Sequence, residues 1–164
     1  MAKFDTVVKG GRVAVGGGLC HCDVGIRAGQ IAALADSIPT SDAERLIDAS
    51  DRLVLPGGIE SHCHVEQRSA SGIMTADDFY SASVSAAFGG TTTMIPFAAQ
   101  HRGDSLRKVV EEYHACAEPK AVIDYAFHLI VSDANEQVLG QELPSLIRDG
   151  YTSFKIYTTY DLLK

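Results

Sequence analysis

The sequence predicts an α/β protein with a strand-rich first third and a second part in which parallel strands alternate with helices. Two observations carry this. Residues 4–54 hold short β-prone runs separated by glycine turns. After Pro56 the rhythm lengthens, and helix-sized segments separate the apolar runs. Such alternation favours parallel strands, because a parallel return needs a crossover of a dozen or more residues. Four strands of that kind make half of an eight-stranded barrel, or else a small open doubly wound sheet.

The elements follow in order. Phe4–Lys9 is β-prone and meets Gly10-Gly11, a turn signal. Arg12–Val15 follows, then Gly16-Gly17-Gly18. Cys22–Arg27 alternates, Ala28-Gly29 turns, and Gln30–Leu34, Arg45–Asp48 and Leu53–Leu55 complete the set. Short strands at this spacing suggest a small antiparallel sheet or sandwich over residues 1–55. The glycine triplet lacks the Lys-Ser/Thr of a phosphate loop and the helix that should follow it, so a nucleotide-binding module is the weaker reading.

Residues 56–164 form the second region. Thr75-Ala76-Asp77-Asp78 reads as a helix start, with Thr75 as cap and acids in the first turn. Phe79–Phe88 is the helix, and Gly89-Gly90 ends it. Thr91–Phe97 is a buried-type strand. Asp104–Ala117 is a second helix with Leu106, Val109, Val110 and Tyr113 as its apolar stripe. Ala121–Val131 is a strand, Asn135–Asp149 a helix closed by Gly150, and Thr152–Thr158 a last strand.

At 164 residues the chain can bury a real core, and its hydrophobic content of 46% is ordinary for a globular protein. The net charge of -7 gives no global basic footprint for nucleic acid or anionic membrane. No apolar window is long enough to span a bilayer, and Met1–Asp5 lacks a signal-peptide core, so the expected location is the cytoplasm. The four cysteines lack zinc-finger spacing and read as reduced structural or surface thiols.

Chemistry concentrates in Pro56-Gly57-Gly58-Ile59-Glu60-Ser61-His62-Cys63-His64. In a strand, residues i and i+2 share a face, so His62 and His64 project together and Cys63 points away. Two such imidazoles can hold one divalent metal, or one is buried and hydrogen-bonded while the other is solvated. Lys155 shifts the balance toward metal. It lies in Thr152-Ser153-Phe154-Lys155-Ile156-Tyr157, where a buried ammonium is costly. A neutral lysine amine reacts with carbon dioxide to give a carbamate, an anionic ligand able to bridge two metals. Otherwise the side chain snorkels outward or pairs with a carboxylate.

The histidine segment, Asp77-Asp78-Phe79-Tyr80, Ala86-Ala87-Phe88-Gly89-Gly90-Thr91-Thr92-Thr93 and Gly150-Tyr151-Thr152-Ser153-Phe154-Lys155 occur in this order. Together they resemble the dihydropyrimidinase and hydantoinase branch of the amidohydrolase superfamily, along nearly the whole chain. The resemblance implies a (β/α)8 TIM-type barrel, here its first four βα units, beside a β-sandwich to which residues 1–55 contribute. It implies a site with two Zn2+ per complete subunit. His62 and His64 would bind the more buried metal, and Lys155, as its carbamate, would bridge both. Tyr160 matches a family tyrosine that hydrogen-bonds the substrate and the developing oxyanion. A metal-bridging hydroxide would then open a dihydropyrimidine or 5-substituted hydantoin to an N-carbamoyl amino acid. A homo-oligomer, a tetramer in many relatives, is the implied assembly, with a small cyclic amide or ureide as partner.

Two departures stand out. Glu60 replaces the family's usual aspartate and reads as a supporting group, not a ligand. Tyr157-Thr158-Thr159 follows the lysine where small or methionine residues are common. The loop from Glu66 to Met74 falls where the family shapes its substrate pocket. The family site also needs two further histidines, which His21, His101, His114 and His128 do not match, and an aspartate from a later strand. His128 reads as a structural strand histidine, and His101 and His114 as solvated. The chain is therefore expected to be an N-terminal fragment, inactive by itself. The contrasting expectation is a fold that has lost catalysis and serves as a scaffold.

Overall fold

β-branched runs such as Thr6-Val7-Val8 become strands in the first of two compact units, Met1–Pro56 and Gly57–Lys164. The computed structural model describes residues 2–69 and 71–159. In the first unit the strands are β1 (Phe4–Lys9), β2 (Arg12–Val15), β3 (Gly18–His21), β4 (Asp23–Arg27), β5 (Gln30–Ala35), β6 (Ala43–Asp48) and β7 (Leu53–Val54). They form one sheet of order β5-β4-β1-β6 and another of order β3-β2-β7. Val8, Val24 and Ile26 of the first sheet meet Val13, Val15 and Val54 of the second in one apolar cluster around Cys22.

Two expectations change here. The sheets are mixed, not antiparallel, because β1 pairs β6 in parallel and β2 pairs β7 in parallel. Local periodicity marks a strand but not its partner. A strand at Gly18–His21 was also not expected. Gly16 and Gly17, at φ 41° and 119°, close a two-residue hairpin in which Val15 faces Gly18. Paired positive φ values suit that turn and exclude most other residues.

Asp23 ties this unit together. Its buried carboxylate accepts from Lys9 Nζ at 2.7 Å, Ile38 N at 2.8 Å and Gly10 N at 2.9 Å. Burial pushes its pKa up, but the Lys9 ammonium and the two backbone amides outweigh burial and hold it below the usual 3.8. A carboxyl whose folded pKa is depressed stabilises the fold above its unfolded pKa, and that contribution is lost as pH falls through the folded value. Asp23→Asn is therefore expected to destabilise the first unit by roughly 2–3 kcal/mol at pH 7. Urea titrations of wild type and variant should converge as the pH drops below about 4.

In the second unit the strands are β8 (Gly58–Cys63), β9 (Thr91–Ala99), β10 (Asp124–Tyr125), β11 (His128–Ile130) and β12 (Phe154–Lys155). The helices are α1 (Phe79–Phe88), α2 (Leu106–Ala117) and α3 (Leu143–Arg148). β8 lies on one side of β9, β10 and β11 lie on its other side, and β12 lies beyond β11, all in parallel. Each new strand is added on the same side, as in half of a barrel. A doubly wound sheet would reverse direction.

Several boundaries differ from expectation for visible reasons. Asp78, not Thr75, caps α1 by accepting from Ser81 N at 2.9 Å. Thr75 Oγ1 is engaged instead by Gln67 N at 3.0 Å. The strand expected over Ala121–Val131 is broken into β10 and β11. The helix expected from Asn135 starts there, with Asn135 Oδ1 accepting from Val138 N at 2.9 Å, but it widens to a π-helical stretch over Val138–Glu142 before α3. Pro144 follows in the first turn of α3, where it supplies no N–H to the regular ladder. Among the described residues β12 spans two residues and pairs with β11.

The core lies between sheet and helices. Phe79, Leu106, Leu129 and Leu146 are fully buried in it, joined by Phe127 and by Val109 and Val110 of the predicted α2 stripe. Gly57 precedes β8 where Thr92 leaves no room, because a Cβ there would come within 2.0 Å of Thr92 Oγ1. That close approach seats the entry to β8 against β9.

Candidate metal centre

β8 carries His62, and His64 follows directly after the strand's last residue with the i, i+2 alternation kept. His62 and His64 are exposed, whereas Cys63 packs against the main core. Burial, with Glu60 adding its charge, pushes the Cys63 thiol up to about 11, so it stays protonated near neutrality. The register runs from Glu60 opposite Met94 to Cys63 opposite Pro96, so β8 carries one extra residue. Pro96 offers no N–H to the ladder at that point. The bulge frees the Ser61–His62 peptide from pairing. Glu60 Oε1 accepts from His62 N at 2.8 Å, and Ser61 O meets His128 Nε2 at 2.9 Å. Glu60 thus serves the backbone.

The buried ring of Phe97 is the hub of the site. Its centroid lies 4.9 Å from the ring centroids of both His62 and His64, which are 5.8 Å from each other. Lys155 Nζ sits 4.3 Å from the Phe97 centroid and 5.2 Å from that of Tyr157. Lys155 is half-buried against these two ring faces, not enclosed as the apolar run around it suggested. The structure therefore brings His62, His64 and Lys155 to one place. Tyr160 lies outside the described residues.

The His64 imidazole suits a metal in its proton position. His64 Nδ1 lies 2.6 Å from Gln67 Oε1. An amide oxygen accepts, so Nδ1 carries the proton and Nε2 keeps its lone pair. This is the usual support for a metal-ligating histidine. Among the described residues no group of three or more His, Cys, Asp or Glu side chains is placed to hold one ion. What the described chain offers is a pair of imidazoles with a lysine nearby.

The loop after His64 is folded back on itself. Thr75 N donates to Gln67 O at 3.0 Å, and Glu66 N donates to Asp77 O at 3.0 Å. Beside His64 it borders an open hollow of about 490 Å³, lined in part by Gln67, Ser69, Ile73 and Met74. Glu66, at φ 47°, also accepts from Lys120 Nζ at 2.5 Å and from Phe79 N at 3.3 Å. These contacts pin the loop to the start of α1.

Comparison with known proteins bears directly on this site. The chain is 43% identical to a D-hydantoinase of Streptomyces coelicolor over 159 residues, which is 94% of the chain and 34% of that protein. It is 36% identical to the dihydropyrimidinase of Rattus norvegicus, over 94% of the chain and 30% of that protein. A solved D-hydantoinase structure superposes with a TM-score of 0.89 at 40% identity, over 96% of this chain and 34% of that one. The relatives of this chain are the D-hydantoinases and dihydropyrimidinases. It matches an N-terminal part of them and spans about a third of their length. An L-hydantoinase from Arthrobacter aurescens superposes less closely, with a TM-score of 0.76 at 25% identity, over 98% of this chain and 35% of that one. No protein-family model matches the chain.

Two residues at the site were missed from sequence: Phe97 read only as part of a buried strand, and Gln67 only as loop. The structural reading of His128 holds, with its Nε2 2.9 Å from Ser61 O and its ring centroid 5.2 Å from that of Phe97. His114 was misjudged. It is half-buried, with Nε2 2.5 Å from Tyr151 Oη and its ring centroid 4.9 Å from that of Phe127. Phe97 and His114 have no local spacing signal because their partners lie on other elements, and Gln67 meets His64 only because the loop after β8 folds back.

Proposed function

We propose that this chain is the N-terminal part of a zinc-dependent cyclic amidase that opens dihydropyrimidine or 5-substituted hydantoin rings to N-carbamoyl amino acids. The observation that carries the reading is the gathering of His62, His64 and Lys155 around Phe97 in a chain whose relatives are hydantoinases. The successive parallel strands support a (β/α)8 barrel for the complete protein.

His62 and His64 would hold one metal through neutral imidazole nitrogens, with Gln67 keeping the His64 proton on Nδ1. Lys155 would join as its carbamate. Its neutral amine adds carbon dioxide, one N–C bond forms, one proton is released, and two oxygens sharing one negative charge become available. When bound, a metal pair supplies Lewis acidity toward the ring carbonyl and lowers the pKa of water. Tyr160 would donate its hydroxyl to the carbonyl oxygen as negative charge develops there. The hollow bordered by Ile73 and Met74 would receive the ring substituent. The proposed setting is cytoplasmic and homo-oligomeric.

The test is zinc content together with hydantoin and dihydrouracil ring opening, measured on this chain and on the full-length gene product. About two zincs per full-length chain and ring opening are expected. A full-length protein with neither zinc nor ring opening would overturn the reading in favour of a catalytically inactive scaffold.

A further inference from the structure

We propose that His128 is a positioning residue that locks the strand of the histidine pair to the strand of Lys155. The proposal deepens the metal-centre reading and rests on it. β8 and β12 are not neighbours in the sheet, since β9 and β11 lie between them. No backbone ladder can couple the two ligand-bearing strands directly. The His128 side chain does so. Its Nε2 lies 2.9 Å from Ser61 O, one residue before His62. Its Nδ1 lies 2.5 Å from Ser153 Oγ, two residues before Lys155 on the same strand face. Its ring leans on Phe97 at 5.2 Å between centroids.

The chemistry selects one form of the ring. A carbonyl oxygen can only accept, so Nε2 carries a proton. In the neutral ring Nδ1 is then bare and accepts from the Ser153 hydroxyl. Ser61 is the residue whose pairing the β8 bulge releases, so this bond also fixes the peptide that carries His62. A histidine kept only for packing would need the Phe97 contact and neither polar contact. Groups that orient metal ligands in this way typically change metal affinity or activity by about 10- to 100-fold when removed.

Three variants of the full-length gene product separate the roles. His128→Phe keeps a ring against Phe97 and removes both polar contacts. His128→Gln keeps an amide N–H able to reach Ser61 O. Ser153→Ala removes one hydroxyl and nothing else. In the metal-free wild type, histidine nitrogen NMR should show His128 as a single Nε2–H form. Zinc affinity by chelator competition should fall about 10- to 100-fold in His128→Phe and recover largely in His128→Gln. The kcat for ring opening should drop with KM changed less than about twofold. If His128→Phe does not fold, a several-fold loss of zinc affinity in Ser153→Ala still supports the tie, and wild-type affinity there overturns it. Averaged His128 tautomers, or wild-type zinc affinity in a folded His128→Phe, also overturn it. A wild type that takes up no zinc instead overturns the metal-centre reading itself, while the NMR result still reports on the tie separately.

Discussion

Lys155→Ala in the full-length gene product is expected to abolish ring opening, with kcat/KM falling on the order of a thousandfold or more, and to strip most of the bound metal. The reason lies in what alanine removes. The backbone of β12 stays paired, because Val131 N donates to Lys155 O at 3.0 Å and Lys155 sits opposite Ile130 whatever its side chain. The lost packing is the ammonium over Phe97 and Tyr157, roughly 1 kcal/mol at a half-exposed site. Stability should therefore change little while metal and activity collapse together. Added acetate should restore part of the rate, since its carboxylate can stand where the carbamate oxygens would. Arginine at this position keeps the charge but forms no carbamate, and it should not rescue. Full zinc content and full rate in the alanine variant would remove Lys155 from the site.

Phe97→Ala should have the largest combined effect on stability and site. The ring is 4% exposed and touches His62, His64, His128 and Lys155. Truncating a buried phenylalanine costs about 3–5 kcal/mol through lost transfer energy and the cavity left behind. Here the cavity would open beneath His62, His64 and Lys155, so their relative positions should relax as well. Phe97→Leu divides the two contributions. It retains most of the apolar volume and should restore the greater part of the stability seen in urea denaturation. It offers no ring face to Lys155 or the imidazoles, so metal affinity should recover less than stability does. Equal recovery of both would mean that Phe97 acts through volume alone.

Both predictions depend on a supporting layer that is not visible along the chain. Gln67 sets the His64 tautomer from three residues away, but only because the loop folds back and Thr75 N bonds Gln67 O. His128 reaches Ser61 and Ser153, which are 67 and 25 residues distant in sequence. Short-range patterns carry no record of such meetings.

The sequence by itself determined that strands exist at Phe4–Lys9 and Arg12–Val15, that α1 covers Phe79–Phe88, and that His62 and His64 share a face. Each depends on near neighbours: β-branched runs, glycine stops and the two-residue period of a strand. The order of motifs from Pro56 to Lys155 was enough to point to the hydantoinase relatives. Only the tertiary structure decided which strands pair, so β6 returned parallel to β1 against the antiparallel expectation. It also decided that Asp78 caps α1, because Thr75 was drawn into a contact with Gln67. Above all it placed Phe97 beneath both histidines and Lys155, and stretched His128 across to Ser61. Strand pairing and side-chain convergence are settled by which distant surfaces can be buried together, and that competition is resolved only when the chain closes on itself.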